Sequence, residues 1–180
     1  MTVRERKEKT MIQPVAESEL MQAAFIHSES WKESHRGVCS EEFIAQHTPE
    51  RQRQYLESAA EQGARLYMLT AGKPVGIVSV RGSLIENLYV LPDEQNRGYG
   101  TQLLLFAVRQ CADTPTLWIL STNERARRLY ERHGFRPTGN IIRHQGGISE
   151  QEFRLIQGQG ENDDPHTETV HQELSDGRSE

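Results

Sequence analysis

The sequence predicts one α+β domain of mixed α/β type, and three observations lead to this prediction. The chain has 180 residues, a length that suits one domain with tails. Some segments repeat apolar residues at helical spacing, whereas others are short β-like runs. These segments follow one another in the order β-α-α-α-β-β-β-α-β-α-β-β, which is typical of a sheet packed against helices.

In the N-terminal half, local signals define four strands and three helices. An apolar stripe predicts the first helix, and a Thr48-Pro49 pair predicts the N-cap and first turn of the third. The turn residues after Ala71 predict a hairpin between the second and third strands. The predicted strands are 11–15, 65–71, 75–81 and 84–91, and the predicted helices are 17–31, a short one from 40, and 48–63.

In the C-terminal half, a glycine-bearing loop over 92–100 precedes a helix over 98–111. A compact apolar strand follows at 116–120. The next helix, 121–133, is ended by Gly134, and Ser121-x-x-Glu124 fits a capping box at its start. Two last strands are predicted at 138–144 and 152–156.

The net charge of −5 is concentrated at one end of the chain. Residues 158–180 carry seven acidic side chains, one basic side chain and no aromatic residue. Such a segment cannot bury enough apolar surface to fold. We therefore expect a charged N-terminal extension over 1–9, a folded domain over 10–157 and an acidic disordered tail over 158–180. The domain itself is close to neutral, so its charge does not exclude a ligand that bears phosphates.

Composition also argues against several classes of protein. No apolar run approaches the ~18 residues of a membrane helix, and the charged start leads into no apolar leader segment. The acidic balance argues against a nucleic-acid partner. Cys39 and Cys111 are too few for a disulfide framework, and the seven histidines lack metal-site spacing. We expect a cytoplasmic protein without a metal or a membrane contact.

The loop Gln95–Gly100 joins a strand to a helix. A helix N-terminus offers free N–H groups, and glycine lets a ligand approach the backbone, so this unit favours phosphate binding. A P-loop would need Lys after the last glycine, and a dinucleotide fingerprint would need glycine at position 103, which is Leu. Both common nucleotide motifs are therefore excluded, and the pattern Q-x-x-G-x-G remains.

Two segments resemble the GNAT superfamily of acetyl-CoA-dependent N-acetyltransferases. Leu88–Gly100 (LYVLPDEQNRGYG) resembles its central motif, and N-x-x-A-x-x-L-Y-x-x-x-G-F from Asn123 resembles its second. The resemblance implies a central, mostly antiparallel twisted sheet of about seven strands with helices on both faces. Taken singly, the glycines fit a turn, Asn123 fits a helix cap and Tyr130 fits a core position. Their joint occurrence in order favours the enzyme.

The resemblance also implies the site. Acetyl-CoA is the expected cosubstrate, and the Val90 N–H would face the thioester oxygen. Tyr130 would hydrogen-bond or protonate the leaving thiolate, as the catalytic acid. The residues expected to bind the cosubstrate are Leu88, Tyr89, Val90, Gln95, Asn96, Arg97, Gly98, Tyr99, Gly100, Thr101 and Asn123.

Glu86 is the candidate catalytic base. An amine is mostly protonated at neutral pH and must lose a proton before it attacks. Two-residue alternation would place Glu86 on the strand face that carries Leu84, Leu88 and Val90. The alternative is a solvent-facing glutamate. Cys111, on an apolar helix face, is a weak candidate for a covalent route, so direct attack in a ternary complex is expected.

The expected acceptor is a primary amine of a small molecule. Segments 28–46 and 141–152 are expected to contact it, with Trp31 and His35 as substrate residues. The acids Glu33, Glu41 and Glu42 would suit a cationic amine or form a solvated helix face. Two alternatives remain: an N-terminal or lysine acetyltransferase of proteins or peptides, and a non-catalytic acyl-CoA sensor. Superfamily members often form homodimers, although no segment marks an interface.

Overall fold

The computed structural model describes residues 9–144 and 148–156, which form a mixed α+β domain. The predicted fold class is therefore confirmed. Residues 1–8 of the predicted extension and the whole predicted acidic tail lie outside the described residues, so the domain limits remain a prediction.

Seven strands form one sheet in the order β1-β2-β3-β4-β5-β7-β6. Neighbouring strands are antiparallel except β4 and β5, which are parallel. The strands are β1 Thr10–Pro14, β2 Arg65–Ala71, β3 Lys73–Arg81, β4 Leu84–Val90, β5 Thr116–Leu120, β6 Phe135–Arg143 and β7 Ser149–Leu155. The helices are α1 Leu20–His35, α2 Glu41–Ala45, α3 Pro49–Glu61, α4 Tyr99–Gln110 and α5 Glu124–Arg132. No helix in the described ranges is long and apolar enough to cross a bilayer.

The helices pack on both faces of the sheet, as expected. One face carries α4 and α5 over a large apolar cluster that includes Leu103, Leu117 and Phe153. The other face carries α1 and α3 over a smaller cluster that includes Ile26 and Leu56. Burial of these side chains stabilises each layer by roughly 1.5–3 kcal/mol per large residue.

Several element boundaries differ from the prediction, among them those of α1, α5 and β6. Helix α1 continues past Trp31 to His35. Helix α5 begins at Glu124 because the Asn123 side chain accepts a hydrogen bond from the Ala126 N–H at 3.0 Å, so the capping box predicted at Ser121 is wrong. Strand β6 begins at Phe135 and includes Pro137. A proline is tolerated there because β6 is an edge strand and needs hydrogen bonds on one side only.

Candidate active site

A cleft opens where β4 and β5 separate. The two strands pair only through Leu84–Thr116 and Ile85–Leu117, and no pairing continues toward their C-terminal ends. The resulting cleft has a volume of about 960 Å³ and is lined by β4, β5, α1, α5 and the loop before α4. A ligand that enters it meets strand backbone as well as side chains.

The backbone of β4 offers unpaired groups to this cleft. The Leu91 N–H donates to the Val75 carbonyl at 2.9 Å, so Tyr89 and Asn87 also form hydrogen-bonded pairs with β3. By the alternation of an antiparallel ladder, the backbone groups of Leu88 and Val90 point the other way, toward β5. No described strand pairs with them there. The Val90 carbonyl accepts a hydrogen bond from Gln95 Nε2 at 2.9 Å.

A β-bulge interrupts β4 at Glu86. Ser79 pairs with Asn87 and Val80 pairs with Ile85, so Glu86 is the extra residue. The predicted sharing of one face by Glu86, Leu88 and Val90 is therefore wrong. Ile85, not Glu86, joins Leu88 and Val90 in the core cluster under α4.

The Glu86 side chain lines the cleft and is paired with Arg81. Its Oε1 lies 2.5 Å from Arg81 Nη2, and only 9% of the side chain is exposed. Its second oxygen, Oε2, is buried and has no hydrogen-bond partner among the described residues. The predicted base is thus a buried, half-satisfied carboxylate rather than a solvent-facing one.

The loop before α4 has the geometry expected of an anion site. Gly98 is the N-cap of α4 and has a φ of 83°, a left-handed conformation that favours glycine. The first turn of α4 leaves backbone N–H groups without helical partners. Asn96, with a φ of 64°, is the one non-glycine residue with positive φ in the described ranges.

Arg125 clamps this loop to α5. Its guanidinium donates to Gln95 Oε1 and, at 3.1 Å, to Asn96 Oδ1. These two bonds hold Asn96 in its uncommon backbone conformation. Arg125 was not predicted as a site residue, although its spacing from Arg128 and Arg132 puts all three on one side of α5. All three arginines line the cleft.

Most of the predicted cosubstrate residues line the cleft, and two do not. Arg97 turns away, since its Nη1 lies 3.2 Å from Glu94 Oε2. Tyr99 is buried in the apolar cluster under α4. The predicted residues that the cleft brings together are Trp31, His35, Glu86, Leu88, Tyr89, Val90, Gln95, Asn96, Gly98, Gly100, Thr101, Asn123 and Tyr130.

Tyr130 belongs to both the core and the cleft. It is 6% exposed, packs in the α4/α5 cluster 5.9 Å from the Phe135 ring, and lines the cleft. Burial raises the pKa of the Tyr130 phenol above its ordinary value, because an ionised oxygen would be poorly solvated there. The phenol therefore keeps its proton at neutral pH and can donate it.

The other end of the cleft is built from α1, β5 and the β6–β7 pair. Trp31 lies between two imidazole rings, with centroids 3.6 Å from His35 and 3.4 Å from His47. Both faces of the indole are thus covered, and Trp31 presents only its edge. Burial lowers the pKa of His35 and of His47, so both rings favour the neutral form.

Carboxylates complete this end. Glu33 and Glu150 line the cleft, one from each of the two segments expected to contact the acceptor. Glu41 and Glu42 do not line it. Trp118 of β5 also lines the cleft and was missed, because a tryptophan inside an apolar strand reads as core.

Two other chemistries find no support in the described ranges. No group of three or more His, Cys, Asp or Glu side chains there converges as a metal site. Cys111 does not line the cleft, and burial raises the pKa of its thiol, which disfavours the nucleophilic thiolate.

Comparisons with known proteins find one family model and several solved structures that are similar to the chain. A family model described as an acetyltransferase (GNAT) domain matches residues 59–137. PaiA N-acetyltransferase from Thermoplasma acidophilum, solved with coenzyme A, has a TM-score of 0.62 at 18% identity, over 80% of this chain and 98% of that one.

Two further structures have the same TM-score. The GCN5-related N-acetyltransferase from Rhodopseudomonas palustris is 21% identical over 84% of this chain and 98% of its own. YncA from Salmonella typhimurium, solved with its cofactor acetyl-CoA, is 17% identical over 82% and 93%. At these identities the structures show a shared fold. No curated protein matches the chain significantly.

Proposed function

We propose that this chain, of which residues 59–137 match an acetyltransferase (GNAT) domain model, is an acyltransferase that moves an acetyl group from acetyl-CoA to a primary amine of a small molecule. Attack is direct, within a ternary complex. One observation carries the proposal: β4 and β5 separate above an anion-binding loop, so a phosphate-bearing, amide-bearing arm fits between them.

At one end of the cleft, unpaired backbone groups bind the cosubstrate. The loop amides from Gly98 onward and the N-terminus of α4 hold the pyrophosphate. Leu88 and Val90 offer strand N–H and C=O groups to the amides of the pantetheine arm. The Val90 N–H donates to the thioester oxygen and stabilises the negative charge that develops on it.

Proton transfers involve Glu86 and Tyr130. Glu86 takes a proton from the acceptor ammonium, directly or through water, which frees the nitrogen lone pair. Glu86 passes this proton on to solvent. The nitrogen–carbon bond then forms, the carbon–sulfur bond breaks, and the nitrogen gives its second proton to water. Tyr130 protonates the departing thiolate and regains its proton from solvent.

A small-molecule amine is favoured by the other end of the cleft. Glu33, Glu86 and Glu150 line it, and a cation gains from such a surface. A protein or peptide acceptor is the second candidate, and a non-catalytic acyl-CoA sensor is the third. A sensor would not need a buried phenol and a buried carboxylate on opposite sides of the same cleft.

The test is the release of coenzyme A from acetyl-CoA across a panel of small amines and of peptides with free N-termini or lysines. Turnover with a small amine and none with peptides supports the proposal. Turnover with peptides alone would establish the second candidate. Stabilisation by acetyl-CoA with no turnover on any acceptor would establish the sensor, and matched melting curves with ATP and NAD control for unspecific binding.

We also propose a cytoplasmic protein that forms homodimers. Both cysteines are free, which suits a reducing compartment. Sedimentation of the full chain tests the dimer.

A further inference from the structure

Glu86 is held by a chain of contacts that begins outside the cleft. Arg81 ends β3 and does not line the cleft. One of its guanidinium nitrogens, Nη1, donates to Gln62 Oε1 at 3.1 Å, at the end of α3. The other, Nη2, meets Glu86 Oε1 at 2.5 Å. The guanidinium therefore connects the end of a helix to the bulge of β4.

The bulge is also fixed from the next residue. Asn87 Nδ2 donates to Ser79 Oγ at 2.8 Å and to Tyr55 Oη at 3.3 Å, and Asn87 Oδ1 accepts from His27 Nε2 at 3.1 Å. These partners come from α1, α3 and β3. Because Asn87 is 5% exposed and bonded on three sides, the backbone at Glu86 has little freedom to slip in register.

We propose that Arg81 is a positioning residue, which holds Oε1 of Glu86 and so keeps the carboxylate at the wall of the cleft, where the acceptor ammonium binds. This inference rests on the proposed function. A guanidinium is always charged and fixes a carboxylate in a planar geometry. It occupies one of the two carboxylate oxygens and fixes the direction of the group.

The unpartnered oxygen supplies the second half of the inference. A buried carboxylate oxygen without a donor is costly, and native structures rarely leave one unsatisfied. The ion pair between Oε1 and Arg81 offsets part of this cost and so keeps the carboxylate at the wall of the cleft. Without Arg81, the carboxylate would lose this partner and its fixed position.

Two substitutions of Arg81 separate its charge from its shape. Arg81→Gln removes the charge, and Arg81→Lys keeps the charge but loses the fork of two donors. Arg53→Gln is the matched control, because Arg53 forms an exposed ion pair with Glu57 at 2.8 Å, away from the cleft. Glu86→Gln reports on the carboxylate itself. All are measured in the full chain for kcat, KM for acetyl-CoA and the melting temperature.

We expect Arg81→Gln to lower kcat by about 10- to 100-fold with an unchanged KM for acetyl-CoA. Arg81→Lys keeps a single donor for Oε1, so its kcat recovers only in part. Arg53→Gln behaves like the wild type.

Wild-type kcat in a folded Arg81→Gln would overturn the inference. So would wild-type activity in Glu86→Gln, because Arg81 then has no catalytic group to position. If Arg81→Gln does not fold, Arg81→Lys decides, and wild-type kcat in that variant counts against the inference. A wild-type protein that acetylates no acceptor refutes the proposed function instead.

Discussion

The two faces of the sheet are built differently, although one strand, β4, contributes to both. The face under α4 and α5 is almost purely apolar, and Tyr130, which belongs to its cluster, also lines the cleft. The face under α1 and α3 buries fewer apolar side chains and adds a connected polar group, His27, Asn87 and Ser79. Apolar packing is non-directional, whereas hydrogen bonds select one geometry.

This difference indicates which face of the sheet fixes the backbone geometry at the site. The apolar face holds the sheet to its helices and tolerates small shifts. The polar face fixes the bulge at Glu86, and with it the direction of β4 as β4 leaves β5. We therefore expect substitutions where the apolar face meets the cleft to affect chemistry, and substitutions on the polar face to affect stability and its pH dependence as well as the position of Glu86.

The largest effect is expected at Tyr130. Tyr130→Phe keeps the ring packing and removes the proton that the thiolate needs, so kcat falls about 1000-fold, equivalent to about 4 kcal/mol. The free energy of unfolding, from urea titration, changes by less than ~1 kcal/mol. Tyr67→Phe, in the same cluster but outside the cleft, is the control. Full activity in Tyr130→Phe would remove the phenol from the mechanism.

Asn87 should give the largest effect on stability. Asn87→Ala leaves a buried imidazole and a buried hydroxyl without partners, and each costs about 1–3 kcal/mol, so we expect a loss of roughly 3–4 kcal/mol. Asn140→Ala, an exposed asparagine bonded to Glu152, controls for the loss of an amide. Equal losses at the two positions would mean that the polar face has no special role.

Acid should weaken the polar face more than the apolar face. Burial lowers the pKa of His27 to about 4, although its hydrogen bond to Asn87 opposes the shift. Since an unfolded histidine titrates near 6.5, the neutral ring stabilises the fold fully above that pH. About 3 kcal/mol is lost as the pH falls from 6.5 to 4. Urea unfolding across this range in wild type and His27→Gln measures it; parallel curves would contradict the assignment.

The smallest contrast concerns two helix caps. Thr48 caps α3 on the polar face and Asn123 caps α5 beside the cleft. Alanine at either position should cost about 1 kcal/mol of stability. Only Asn123→Ala should also raise KM for acetyl-CoA, because Asn123 lines the cleft. A KM effect at Thr48 as well would mean that helix fraying, and not a local contact, weakens binding.

The sequence predicts the fold and the location of the cleft well, for a physical reason. Strand–loop–helix units leave a local signature, such as glycine at the start of α4 and at the end of α5, and the structure has left-handed glycines at both places. Gly98 and Gly134 mark those positions through their own backbone conformation, without reference to distant parts of the chain.

Side-chain directions at the site are harder to predict. The bulge at Glu86 reverses the side-chain alternation of β4. The neighbouring residues in the sequence do not indicate this extra residue. Asn87, which follows it, is held by side chains of α1 and α3 that are distant in the sequence. Likewise, the partner of Arg97 and the rings that cover Trp31 depend on neighbours brought together by the tertiary fold.

The separation of β4 from β5 also has a kinetic signature in amide hydrogen exchange. Along β4, the Asn87 and Tyr89 amides are bonded to β3, whereas those of Leu88 and Val90 have no strand beside them. Exchange in the free protein should therefore alternate slow and fast from one residue to the next. A ligand that lies along β4 should slow amide exchange at Leu88 and Val90 alone. Loss of the alternating pattern would then show that the bound arm pairs with β4 as an eighth strand would.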